Sequence, residues 1–136
     1  MGVNLSLSNR PENLALLNEA LQAQALEWGL SERSLAHLEL IGEELFINIV
    51  NHGYEPGQSG QIDVTVEQQG PRLRLIMEDD ARPFDLLLNY YPPEDLDLES
   101  RPIGGLGICL VRRLAESIVY YRTADNKNRL VVYLPL

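Results

Sequence analysis

Residues 38–53, L-E-L-I-G-E-E-L-F-I-N-I-V-N-H-G, read as a helix that is apolar around most of its circumference, through Leu38, Leu40, Leu45, Phe46, Ile47, Ile49 and Val50. Such a helix belongs inside a domain rather than on its surface. Three polar positions interrupt it: Glu44, Asn48 and His52, at i, i+4 and i+8. At about 100° per residue they lie within roughly 80° of one another, on one edge. His37 and Asn51 fall near the same edge. Burying such groups unpaired is costly. One reading has them hydrogen-bonding neighbouring backbone. The other has them lining a polar cavity, with Glu44 a general base and Asn48 an oxygen ligand for a hard cation such as Mg²⁺.

Elsewhere the pattern changes period. Residues 3–7 alternate as V-N-L-S-L, a short strand with one buried face. Leu14, Leu17, Leu21 and Ala25 recur at helical spacing within residues 12–28, with Asn9 as a cap near Pro11 and Gly29 as the stop. Ser31 caps the next helix, which carries the stretch above and ends at Gly53. Residues 54–60 hold Pro56, Gly57 and Gly60 and read as a loop. Residues 61–68 and 72–78 alternate on either side of Gly70-Pro71, an antiparallel hairpin. Residues 86–102 lack periodicity, and an irregular stretch of that length inside a domain is a functional loop or a disordered one. A helix over 109–117 and strands over 119–122 and 130–134 complete the chain, with a turn at 125–128. The order β-α-α-β-β-loop-α-β-β predicts an α+β fold, a two-layer sandwich of helices on one mostly antiparallel sheet.

At 136 residues the chain is expected to form a single domain, 1–136, with a real core. A formal charge of −9 argues against a nucleic-acid surface, which needs clustered lysine and arginine. No apolar run reaches the ~20 residues of a membrane span. The one cysteine, Cys109, allows no intrachain disulfide, which suits a cytoplasmic location.

Two further motifs carry chemistry. Asp79 ends a hairpin strand, where a carboxylate can accept a hydrogen bond from an exocyclic amine such as that of adenine, or simply solvate a loop. Gly104-Gly105-Leu106-Gly107 leads into a helix. Glycines there let backbone N–H groups approach a phosphate, and the helix N-terminus adds partial positive charge. The run is neither a Walker A sequence nor a dinucleotide fingerprint.

Helix, strand end, then glycine loop into helix is an order that resembles the GHKL ATPase/kinase superfamily. The closest likeness is to its stand-alone anti-sigma-factor serine kinases of RsbW and SpoIIAB type. E-L-F-I-N-I-V-N-H-G-Y at 44–54 is similar to their N-box, D-D-A-R-P-F-D at 79–85 to the first glycine box, and G-G-L-G-I-C-L-V-R-R-L at 104–114 to the second. The turn Asn128-Arg129-Leu130 also resembles the group. The resemblance implies a Bergerat-type ATP-binding sandwich with ATP and Mg²⁺ as cofactors. Asn48 would bind Mg²⁺ bridging the phosphates, and Glu44 would activate the incoming serine or threonine hydroxyl. Asp79 would read the adenine amino group. Ala81, Phe84, Gly104, Gly105, Leu106 and Gly107 would complete the nucleotide site, with residues 86–103 as an ATP lid. Arg82 and Arg101 are the candidates for a phosphate contact.

The implied activity is phosphoryl transfer to a STAS-type anti-anti-sigma protein, with a sigma factor as second partner, no nucleic acid, no membrane and a homodimer. One departure stands out: the group's D-x-G is Asp79-Asp80-Ala81 here. A methyl group at Ala81 would crowd the nucleotide or forbid a glycine-only backbone angle, weakening binding. That departure favours one alternative, a partner-binding module that uses nucleotide only as a switch; a plain ATPase of the superfamily is a further alternative.

Overall fold

The structure, a computed structural model, describes residues 2–89 and 105–136, without the side chains of 88, 89 and 105–107. Strand β1 (Gly2–Ser8) leads through a 3₁₀ turn (Pro11–Asn13) into helices α1 (Leu14–Trp28) and α2 (Glu32–His52). The hairpin β2 (Gln61–Gln69) and β3 (Arg72–Asp79) follows, then a 3₁₀ turn (Leu86–Asn89), helix α3 (Gly105–Leu114), β4 (Ser117–Arg122) and β5 (Asn128–Pro135). The strands form one antiparallel sheet in the order β1-β2-β3-β5-β4. The predicted α+β two-layer sandwich is the observed architecture.

Alternation along the strands builds the two faces. Ile62, Val64 and Val66 of β2, Leu73, Leu75 and Met77 of β3, and Leu130, Val132 and Leu134 of β5 are buried beneath the helices. The residues between them form the opposite face, where Arg129 pairs with Glu78 at 2.9 Å and Arg74 with Glu67 at 3.3 Å. Helix α2 packs against α1 on one flank, α3 on the other and β3 beneath. That three-sided cover explains why its sequence is apolar nearly all round: Leu38, Ile41, Leu45, Phe46 and Ile49 are all buried. Its solvent-contacting side includes Glu44, Ile47, Asn48 and Asn51, spaced i, i+3, i+4 and i+7, with Glu43 and His52 exposed beside them.

Local expectations hold with three corrections. Ser31 caps α2 as expected, accepting from the Ser34 N–H at 3.1 Å. Asn9 is not a helix cap: its Nδ2 donates to the Gln58 carbonyl at 2.9 Å and its Oδ1 accepts from the Gly60 N–H at 2.8 Å. It pins the loop after α2 to the end of β1 instead. Helix α3 starts at Gly105, not at residue 109. Two glycines weaken a helix by about 1 kcal/mol each relative to alanine and so read as loop, but packing against α2 overrides that preference. Ser117 belongs to β4, paired with Tyr133, and β5 begins at Asn128 rather than Leu130. Of the segment 86–103, residues 90–103 lie outside the described residues, as do Gly104 and Arg101.

Phe46 is a fully buried side chain at the centre of the helix layer. Phe46→Ala is expected to cost about 3–5 kcal/mol, because transfer and cavity terms add. A lowered urea midpoint with an unchanged slope checks this, and a loss under 1 kcal/mol contradicts the central place given to α2.

Candidate active site

The site is assembled where the C-terminal half of α2 meets the end of β3. On α2, the Asn48 Nδ2 donates to the Glu44 backbone carbonyl at 2.6 Å. The backbone reading of this edge is therefore right for one half of the amide. That bond leaves the other half of the amide, Oδ1, uncommitted to the Glu44 carbonyl, on a residue that is half-buried like Glu44. With the nitrogen committed to the backbone, the amide atom left for a ligand is an oxygen, the kind of atom a hard cation takes. The Glu44 carboxyl, one turn earlier and half-buried, has its pKa pushed above the usual carboxylate range by burial first and by neighbouring Glu43 second. That shift brings a carboxylate closer to working as a base near neutral pH.

At the strand end, Asp79 continues the inward-facing series Leu73, Leu75, Met77. It is a carboxylate in a core position, 4% exposed. Its Oδ1 accepts from the Ala81 N–H at 3.0 Å and from Asn128 Nδ2 at 2.9 Å. Its Oδ2 takes part in neither bond. Burial raises its pKa above the usual value, and the Asn128 and Ala81 donors and Arg122 only partly offset this. Next to it, Asp80 points the other way. Its Oδ1 accepts from the Tyr54 hydroxyl at 2.7 Å and the Gln61 N–H at 2.9 Å. Burial opposes its ionisation, but these donors outweigh it and hold its pKa low, while burial and the Asp80 partner push the Tyr54 hydroxyl up.

Ala81 corrects an expectation. Among the described residues only Asn126 combines a side chain with a positive φ, so Ala81 needs no glycine-only angle. It is 2% exposed, and its methyl lies 2.8 Å from where a Cβ on Gly53 would stand. The missing side chain at Gly53 makes the room that the methyl at Ala81 fills. Phe84 is half-buried on the rim, tilted against the His52 ring at 5.9 Å, with the Arg82 guanidinium over its face at 5.9 Å. Arg82 also donates to the His52 carbonyl from Nη2 at 2.9 Å, which ties the segment after β3 to the end of α2. His52 thus closes the helix structurally and its side chain is exposed. Gly105, Leu106 and Gly107 form the first turn of α3, which packs against α2 and the 3₁₀ turn Leu86–Asn89.

Sequence reasoning missed Tyr120 and Arg122 and, though it noted the turn at Asn128, the pairing of Asn128 with Asp79. Asn128 was visible only as part of a turn. Its place opposite Asp79 follows from the β3–β5 register, a long-range pairing that no local signal announces.

The burial of Asp79 predicts a pH signature. Because its folded pKa is raised, the folded chain carries a cost for the ionised form. That cost is absent below the unfolded pKa and grows to its full size as pH rises through the folded value. Asp79→Asn keeps an oxygen for the Asn128 and Ala81 donors and removes the charge. The variant should be more stable than the parent at about pH 7.5, with the difference closing at about pH 3. Urea denaturation at both pH values checks this, and a variant less stable at neutral pH contradicts it.

Comparison with known proteins identifies the family and the fold. Residues 7–134 match the family described as Histidine kinase-like ATPase domain. The serine-protein kinase RsbW of Listeria monocytogenes is 28% identical over 123 residues, 88% of this chain and 78% of its own length. The serine/threonine-protein kinase BtrW of Bordetella bronchiseptica is 29% identical over 135 residues, covering 93% and 94% of the two chains. In fold, the histidine kinase domain of the Erythrobacter litoralis EL346 blue-light activated histidine kinase superposes with a TM-score of 0.55 at 18% identity. It is matched by 93% of this chain, which spans 60% of that structure. With nearly its whole length matched and its sandwich shared, this chain belongs to the histidine kinase-like ATPase domain family.

Proposed function

We propose that the chain is an ATP-dependent serine/threonine protein kinase that acts on a STAS-type anti-anti-sigma protein and also binds a sigma factor. The observation that carries this reading is the edge of α2. Glu44, with its pKa raised, stands one turn from an amide whose nitrogen is committed to the Glu44 carbonyl, leaving its oxygen for a cation. A pure nucleotide-binding module has no use for a carboxylate beside the cation ligand. The kinase names of RsbW and BtrW support the kinase part of this reading, and the likeness of the motifs to the anti-sigma group supports the choice of partners.

The residues fit Mg²⁺ and ATP. Asn48 Oδ1 would hold the cation, Asp79 Oδ2 would accept from the adenine amino group, and the Gly105 and Gly107 amides at the start of α3 would meet the phosphates. When bound, Mg²⁺–ATP supplies the phosphoryl group and neutralises its charge. Glu44 takes the proton of the incoming hydroxyl. Ala81 and Phe84 wall the base side, Gly104 and Leu106 flank the phosphate turn, and the protein works in the cytoplasm as a homodimer. The reading as an inactive partner-binding module rested on Ala81, and the ordinary backbone angle there takes away one of its two supports, the strained backbone.

Glu44→Ala should leave ATP binding intact and lower phosphoryl transfer to a purified STAS-type acceptor by about 10²–10⁴-fold. Radiolabelled γ-phosphate transfer measures it. Transfer that survives at the parent rate removes Glu44 as the base.

A further inference from the structure

Asn128 opens β5 directly across from Asp79 in the antiparallel register. It is 3% exposed. Its Nδ2 donates to Asp79 Oδ1 at 2.9 Å and to the Arg82 carbonyl at 2.7 Å. Its Oδ1 accepts from the Tyr120 hydroxyl at 2.5 Å, Arg122 Nη1 at 3.1 Å and the Phe84 N–H at 3.3 Å. A side-chain amide offers two N–H donors and two lone pairs. All are spent inside the protein, so Asn128 has nothing left with which to touch a ligand. It acts on what Asp79 presents.

Asp79 Oδ1 accepts from Asn128 and from the Ala81 N–H, which uses both of its in-plane lone pairs. These two donors hold the carboxylate against rotation and commit Oδ1, and among the described residues neither of these bonds uses Oδ2. The two purine bases ask different things of a carboxylate. Adenine offers one amino group and needs one acceptor oxygen. Guanine puts an acceptor, O6, where adenine has that amino group, and its neighbouring N1–H and N2 amino donors need two oxygens side by side. We infer that Asn128 is the positioning residue that makes this site select adenine over guanine, by occupying Asp79 Oδ1 and leaving Oδ2 as the only oxygen a base can reach.

This deepens the adenine-reading part of the proposed function and rests on it. The selectivity arises from a buried polar group that would be left mispaired with the wrong base, the kind of discrimination that exceeds what shape alone provides. Tyr120 and Arg122 on β4 hold the amide from the far side, so the lock spans three strands. The Arg82 carbonyl and Phe84 N–H extend it to the segment after β3.

The test is calorimetric titration of the whole chain with Mg²⁺–ATP and Mg²⁺–GTP, for the parent, Asn128→Ala and Tyr120→Phe. The parent should prefer ATP by about 100-fold or more. In Asn128→Ala, Oδ1 regains a lone pair, ATP binds about ten-fold more weakly, and the ATP:GTP ratio falls at least about ten-fold. A merely structural loss weakens both nucleotides alike, and an unmoved ratio in a folded variant overturns the assignment. If Asn128→Ala does not fold, Tyr120→Phe carries the test. Removing that one hydroxyl loosens the amide and should lower the ratio about two- to three-fold, whereas an unchanged ratio overturns the proposal. A parent that binds neither nucleotide overturns the adenine site itself, and that result is distinct from a parent that binds ATP with a ratio insensitive to both substitutions.

Discussion

A buried carboxylate held by a buried amide, Asp79 Oδ1 to Asn128 Nδ2 at 2.9 Å, is the contact on which the site depends. Asp79 occupies a position that the strand's alternation assigns to the core. Ionised there it is costly, and the cost stays tolerable only because donors converge on it from β5 and from the turn after β3. The same donors fix its orientation. A strand of purely apolar inward residues would be more stable and would recognise nothing. The sheet register sets this arrangement: the row Leu7, Ile62, Asp79, Asn128, Arg122 crosses all five strands and turns from apolar to polar along its length.

Helix α2 makes a related compromise. It is buried on three sides, and its fourth side carries Glu44, Asn48 and Asn51 in helical register. The core that clamps α2 also fixes the direction in which these side chains emerge, so positioning needs no loop. The two halves meet where Gly53, just past α2, leaves space for Ala81, just past β3, and where Arg82 binds the His52 carbonyl. Phosphoryl transfer asks mainly for positioning and charge neutralisation, and rigid elements suit that demand.

Much of this was legible in the sequence because it is local or periodic. The 3.6-residue period with a polar edge identified α2 and its Glu44–Asn48 pair. The period-2 stretches around Gly70-Pro71 identified the hairpin and the strand that ends at Asp79. The parts that were not legible depend on residues far apart in the chain. Asn9 read as a cap because its type and place fit one, yet its partners are Gln58 and Gly60. Ala81 read as a strained backbone position because a motif expects glycine, yet its angle is ordinary and the room for its methyl comes from Gly53, far back in the chain. The first turn of α3 read as loop because glycine opposes helix, and tertiary packing decided otherwise.

The measurement that bears most directly on the central claim is a calorimetric titration of the purified chain with ATP, with and without Mg²⁺. The roles proposed for Asn48 and Asp79 require binding that is saturable below about 1 mM and strengthened by the cation. The absence of any heat of binding at millimolar ATP in the presence of Mg²⁺ would contradict the account. The polar edge of α2 and the Asp79–Asn128 pair would then be structural features of a sandwich that carries no nucleotide.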